Sequence, residues 1–333
     1  MSPKYVYCAV DEDDALTIID AADPANPTFV GSIQGAGAPN YLDGANEVFV
    51  LGDYAYIPAS YDDSLTIIDI SNPASPVFKG CLRGAGAPNY LHFPYGVYVK
   101  DSYAYVAAMN DDSLVIIDVS DPANPTLKGC IRGAGAPNYL NGVRFVYVVG
   151  NYAYLTAQYD DSLTIIDVTN PASPVFKSHI AGVGAPNYLD GPNGIFILGN
   201  YAYIAVAIDA SLTIIDITNP ANPIFKGNIM GAGAPNYLSN AYDVYVKGNY
   251  AYIVSYGDDA LSIFDISNPA APTLKGNIRG GGSPNYLDAP YGICLSGDYA
   301  YVAPFADNSL TIIDISNPAS PTFKGHIAGA GAP

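Results

Sequence analysis

Apolar positions along this chain fall in short runs, and none of the runs keeps a helical spacing. Residues 47–83 show the pattern: EVFVL (47–51), YAYIPAS (54–60), SLTIIDIS (64–71) and VFKGCLR (77–83). Tyr, Ile, Val and Thr dominate these runs, and turn-formers break them: Gly52-Asp53, Tyr61-Asp62-Asp63 and Asn72 to Pro76. The pattern predicts four short strands. In the third run Leu65 and Ile67 fall on one face, and Thr66, Ile68 and Ile70 on the other. A strand apolar on both faces belongs to a sheet covered on both sides.

The pattern then repeats. The phrase I-[IF]-D places an aspartate at 20, 69, 118, 167, 216, 265 and 314, in steps of 49 residues without insertion or deletion. Seven four-stranded units with sheets packed face to face predict an all-β protein, a seven-bladed β-propeller, with residues 1–333 as a single domain. An open β-solenoid is the alternative, but its repeats are usually shorter. Between units stands GAGAPNYL at 35–42, 84–91, 133–140 and 231–238, with GVGAPNYL at 182–189 and GGGSPNYL at 280–287. Seven repeats of 49 make 343, ten more than the 333 present. The ten correspond to Asn285–Cys294 of the last full copy. The first blade is therefore expected to hold its second, third and outer strands (about 5–11, 15–21 and 28–34) and only a stub of an inner strand, Met1–Pro3.

SLTIIDISNPASPVFKG, with YAYIPA before it, resembles the LVIVD repeat of bacterial and archaeal β-propellers, and the resemblance covers every unit. It implies a propeller, often on surface or secreted proteins, with no common activity and no catalytic residues. On that basis the chain is expected outside the cell or at its surface, although it shows no signal peptide. The GAGAPNYL loop is longer than the connections expected in that family.

Charge narrows the partners. Acids outnumber bases 31 to 13, for a formal charge of −18. That argues against nucleic acid, which needs a basic stripe, and against anionic membranes. No apolar run is long enough to span a bilayer as a helix. Cys8, Cys81, Cys130 and Cys294 lack metal-ligand spacing, and equivalent outer-strand positions are too far apart to bridge, so all four are expected to be free thiols. Free thiols suit a reducing compartment, or a chain that needs no staples. No metal and no cofactor is expected, and the chain is expected to be a monomer.

The repeats can be compared with one another. Asp62 recurs as Asp13, Asp111, Asp160, Asp209, Asp258 and Asp307. Seven carboxylates could suggest a metal, but Asp commonly accepts N–H bonds within its own turn, and no calcium loop is present. Asp69 reads as a hydrogen-bonded structural acid. The tyrosines of the connectors (Tyr41, Tyr90, Tyr139, Tyr188, Tyr237, Tyr286) are expected to wedge between blades. Lys79 and its counterparts should be solvated on the outer wall, as should His179 and His326.

Divergence concentrates at the start of the inner strand and the exit of the second strand, both on the face that carries the connectors. At the first, Asn46-Glu47, Arg144-Phe145 and Tyr242-Asp243 alternate with Tyr95-Gly96, Asn193-Gly194 and Tyr291-Gly292, which suggests amplification by pairs of blades. Glu47, Phe145 and Asp243 are expected to project into the channel mouth. The candidate ligand site is Glu47, Tyr95, Arg144, Phe145, Tyr242, Asp243 and Tyr291, with Tyr61, Tyr159 and Tyr256 at the rim. Acids would accept hydroxyls or cations and tyrosines would stack. The expected function is a non-enzymatic binding or scaffold propeller for a glycan, a small polar molecule or a peptide segment. The alternatives are a purely structural building block, or an enzyme using the same mouth. No nucleophile-elbow, zinc-protease or phosphate-loop motif is present, and His92 is the one histidine on that face.

Overall fold

The computed structural model describes residues 4–329 and contains strands and turns only. Among the described residues twenty-seven strands form seven sheets, six of four strands and one of three. The third blade shows the plan: Pro94–Lys100, Tyr103–Ala108, Ser113–Asp118 and Thr126–Arg132, antiparallel throughout and in sequence order. The first blade holds Tyr5–Val10, Ala15–Asp20 and Thr28–Gln34, close to the boundaries expected. The expected stub at Met1–Pro3 lies outside the described residues. The fold is thus a seven-bladed β-propeller with a three-stranded first blade.

By contact density the chain divides into two units, residues 6–19 with 29–179, and residues 1–5, 20–28 and 180–333. Each has the same interior. The second and third strands are buried on both faces, with Ile57, Leu65, Ile67, Leu114 and Ile116 in the first unit and Leu212, Ile214, Ile253 and Phe264 in the second. That is why these strands read as continuous apolar runs.

Blades meet closely at a glycine of the outer strand. A Cβ on Gly80 would lie 2.6 Å from the carbonyl oxygen of Pro122 in the next blade's D-P-A-N-P turn. Gly129 stands likewise against Pro171, Gly276 against Pro318, and Gly325 of the last blade against Pro24 of the first, at 2.5 Å. A side chain there would crowd that carbonyl, so glycine holds the position in six blades, with the small Ser178 in the fourth.

One strand is shorter than its sequence predicts. EVFVL (47–51) gives only Phe49–Leu51 plus a bridge between Ala45 and Ala59. Pro58 on the second strand is the cause. Its carbonyl accepts from Asn46 N, so that side faces the inner strand, and the N–H that would complete the ladder is absent.

Candidate functional site

The connectors are built by hydrogen bonds that the sequence distributes over three segments. In GAGAPNYL (35–42) Tyr41 N donates to Gly37 O, Leu42 N to Gly35 O, and Asn40 Nδ2 to Gln34 O. Leu42 is fully buried, and Tyr41 takes a left-handed φ of 51°. Asp62 Oδ2 accepts from Gly37 N (3.0 Å) and Asp43 N (2.9 Å). Asp111, Asp160, Asp209, Asp258 and Asp307 do the same for their connectors. These aspartates therefore pin a loop 19 and 25 residues upstream, where the sequence reading placed their bonds in their own turn. The next aspartate holds the following connector: Asp63 Oδ1 accepts from Phe93 N, and Asp14, Asp112 and Asp259 act likewise.

Each connector tyrosine lies beside the outer strand of the blade it leads into, and Tyr90 also packs on the core cluster shared by the second and third blades. Tyr41 lies on the outer strand of the blade it leads into, against Phe78 (centroids 6.1 Å), with the Arg83 guanidinium 4.1 Å from its ring centre. Arg132 and Arg279 cover Tyr90 and Tyr237 in the same way. Where alanine replaces that arginine, at Ala181 and Ala328, a histidine two residues earlier takes over. His179 stacks on Tyr139 at 3.7 Å and His326 on Tyr286 at 3.9 Å. These histidines are half-buried, against expectation, and burial lowers the pKa of His179. The outer-wall lysines also lie down: Lys79 Nζ sits 5.6 Å from the Tyr54 ring and 3.7 Å from Asp69. Asp69 is the structural acid expected. It accepts from the Ser71 hydroxyl (2.6 Å) and backbone N–H, which, with Lys79, hold its carboxyl below the usual range.

The divergent residues fall into different company. Glu47 does not project into the mouth, because its Oε2 accepts from Val97 N of the next blade at 2.8 Å. Asp243 likewise accepts from Ile293 N of the next blade (3.1 Å), and from its own neighbour Val244 N (2.8 Å). Burial pushes the Asp243 carboxyl up to about 6, against these two N–H groups. Phe145 packs on Tyr95 at 5.6 Å, and the Arg144 guanidinium lies 4.4 Å from the same ring. Tyr242 packs on Tyr291 at 4.2 Å, and Tyr256 and Phe305 each lie 5.4 Å from Tyr291. The structure thus gathers Tyr95, Arg144 and Phe145 in one unit and Tyr242, Tyr256 and Tyr291 in the other, and gives Glu47 and Asp243 to inter-blade backbone bonds.

The rim follows a packing rule. Where the connector ends in glycine, the loop after the second strand carries a large group above it: Gly44 under Tyr61, Gly142 under Tyr159, Gly191 under Ile208. A Cβ at Gly142 would lie 2.5 Å from the Tyr159 ring. Where the connector position is larger, at Phe93, Asn240 and Ala289, the loop residue is Asn110, Gly257 or Ala306. Divergence here records compensating size. The large groups remain exposed all the same: Tyr61 64%, Tyr159 61%, Ile208 67%.

A second aromatic series escaped the sequence reading. Phe49, Tyr98 and Tyr147 occupy one position of successive inner strands, with centroids 5.0 and 4.8 Å apart; Phe196 and Tyr245 continue it in the other unit at 4.6 Å. The signal was present as five aromatics at 49-residue spacing, with Cys294 in the sixth place. All four cysteines are free.

These features define a β-propeller of tandem four-stranded repeats. Within that class the chain belongs to the LVIVD-repeat family, whose repeat matches seven times, at residues 1–34, 44–82, 95–132, 143–181, 193–231, 239–279 and 291–328. No curated protein matches the chain. Among solved structures it is similar to a functionally unknown protein from Desulfotomaculum acetoxidans, with 12% identity over 98% of this chain and 96% of that one and a TM-score of 0.74. A Lactobacillus plantarum protein gives 14% identity, coverage of 95% and 92%, and a TM-score of 0.76. A periplasmic gluconolactonase from Pseudomonas aeruginosa gives 10% identity, coverage of 94% and 91%, and a TM-score of 0.74. At these identities the likeness shows the fold alone.

Proposed function

We propose that this protein is a non-enzymatic binding propeller whose ligand, a glycan, stacks on the tyrosine cluster of the sixth and seventh blades. The observation that carries the reading is the cluster itself: Tyr242, Tyr256 and Phe305 converge on Tyr291, while Tyr256 and Phe305 stay 39% and 41% exposed. Aromatic faces held by a stiff sheet and open to solvent suit sugar rings, which present C–H faces to stack and hydroxyls for the phenols. The non-enzymatic part rests on the acids. Glu47 and Asp243 are each committed to the backbone of a neighbouring blade, which leaves them ill placed as bases. The gluconolactonase neighbour keeps sugar-lactone hydrolysis as the second reading. Titration with a panel of neutral and acidic oligosaccharides, followed by tyrosine fluorescence, tests both. Binding without turnover, lost in Tyr256→Ala/Phe305→Ala at unchanged melting temperature, is the expected result. Release of a sugar acid from a lactone probe, or binding that survives the double substitution, defeats it.

A further inference from the structure

Two residues of the tyrosine cluster fall outside the regular pairing of their sheets. In the sixth blade Ala241 pairs with Ser255 and Asp243 with Val254; in the seventh Pro290 pairs with Pro304 and Gly292 with Ala303. Tyr242 and Tyr291 are the residues passed over, so each sits in a β-bulge, where the ladder is locally disrupted. Their strands, Ala241–Lys247 and Pro290–Ser296, are also the edges of their sheets. The aim of Tyr291 therefore depends on what holds the strand just beyond it.

Asp243 is placed to do so. It follows Tyr242 directly. Its Oδ2 accepts from Ile293 N, two residues beyond Tyr291, at 3.1 Å, and its Oδ1 from Val244 N at 2.8 Å. One carboxylate thus links the backbone just after one tyrosine to the backbone just after the other, and the two rings lie 4.2 Å apart. The second blade repeats the link. Glu47 Oε2 accepts from Val97 N, again 50 residues ahead and two beyond a bulged tyrosine, Tyr95.

We propose that Asp243 is the positioning residue of the tyrosine platform, and that acid loosens the platform by taking this acceptor away. The inference rests on the glycan reading for its ligand; the positioning itself is a property of the free protein. A carboxylate offers both oxygens as acceptors, whereas a carboxylic acid turns one of them into a donor. The proton goes to Oδ2, which holds the longer bond, so Ile293 N loses its partner and the strand that carries Tyr291 is freed. Burial sets the range, raising the carboxyl to about 6 against the pull of the two N–H groups. The groups that titrate beside Asp243 are the Cys294 thiol and the phenols of Tyr242 and Tyr291. Its own sheet brings Val254 and the preceding blade Gly194, and neither titrates. Thiols and phenols ionise above about pH 8, so Asp243 is the group that changes charge near 6.

The test uses the full chain with ring-labelled tyrosine. The Tyr291 ring resonance, assigned with Tyr291→Phe, and the protection of the Ile293 amide should both titrate near pH 6 in the natural chain. Asp243→Asn should flatten both profiles at their acid limit, and Asp243→Glu, which copies the acid of the second blade, should restore them. Cellohexaose serves as the sugar probe. Its affinity should fall at least about three-fold from about pH 7 to about pH 5 in the natural chain and stay constant in Asp243→Asn. A Tyr291 resonance that ignores pH, or that titrates equally in Asp243→Asn, overturns the proposal. So does cellohexaose binding of equal strength at both pH values. A resonance that titrates through Asp243 while cellohexaose binds at neither pH supports the positioning and counts against the glycan reading.

Discussion

The connectors and the inner-strand mouth lie on the same face yet follow opposite rules. The connector phrase is nearly invariant because each residue serves its own blade: Asp62 Oδ2 holds two N–H groups, Asn40 reaches back to Gln34 O, and Leu42 is fully buried. The mouth varies because each residue there answers a different neighbour. Glu47 meets Val97 N, Phe145 meets Tyr95, and Tyr159 sits over Gly142. Constancy among repeats thus marks bonds to local backbone, and divergence marks packing between unlike partners. Divergence alone is a poor pointer to a ligand.

The sharpest way to break this contrast is to attack a constant position. Asp111→Ala removes the acceptor of Gly86 N and His92 N and should cost about 3 kcal/mol, seen as a fall of several degrees in melting temperature. A fall under one degree would mean that the connectors hold without their aspartates. Next comes a divergent pair. Gly142→Phe alone should cost about 2 kcal/mol, from the clash with Tyr159 and a φ of 65°. Adding Tyr159→Asn copies the third blade, where Phe93 accompanies Asn110, and should restore at least half of that loss. Additive losses in urea melts would show that the two positions vary independently.

The smallest effect is a pH dependence. The Asp243 carboxyl sits above its unfolded value of 3.8, at about 6. The folded state therefore holds this proton more tightly than the unfolded one. The resulting stability is fully present below pH 3.8 and is lost as pH rises through 6. The stability of the natural chain relative to Asp243→Asn should thus be greater at pH 4.5 than at pH 7. A difference independent of pH would place the carboxyl in ordinary solvent. Truncating Glu47, Arg144 and Asp243 together should also cost stability, because two bond the next blade's backbone and the third covers Tyr95.

Much of the architecture was legible. The 49-residue step, the alternating strands and the ten-residue deficit led to seven blades with a three-stranded first, because period and register are properties of the chain itself. The shortened strand at Phe49–Leu51 was half legible, since Pro58 stood in plain view but which of its sides faced the inner strand did not. The partners of Asp62 and Glu47 were hidden, because they lie 25 residues back and 50 ahead and depend on how blades nest. The alternation of glycine with Glu47, Phe145 and Asp243 was legible, but the neighbouring strand that each leans on was not. A sequence does not distinguish a side chain that points into a channel from one that leans on the next strand.

The basic residues have a further consequence. The chain has nine lysines and four arginines, and each lies against a ring or a main-chain carbonyl. Lys4, the six outer-wall lysines and Arg83, Arg132, Arg144 and Arg279 cover tyrosines, and Lys100 and Lys247 close on hairpins. These contacts are made at the surface, where Lys4, Arg83, Arg132, Lys247 and Arg279 stay exposed, and the formal charge of −18 makes the molecule a polyanion in solution. Its copies repel over about 10 Å at 0.1 M salt and approach more closely as ions shorten that reach.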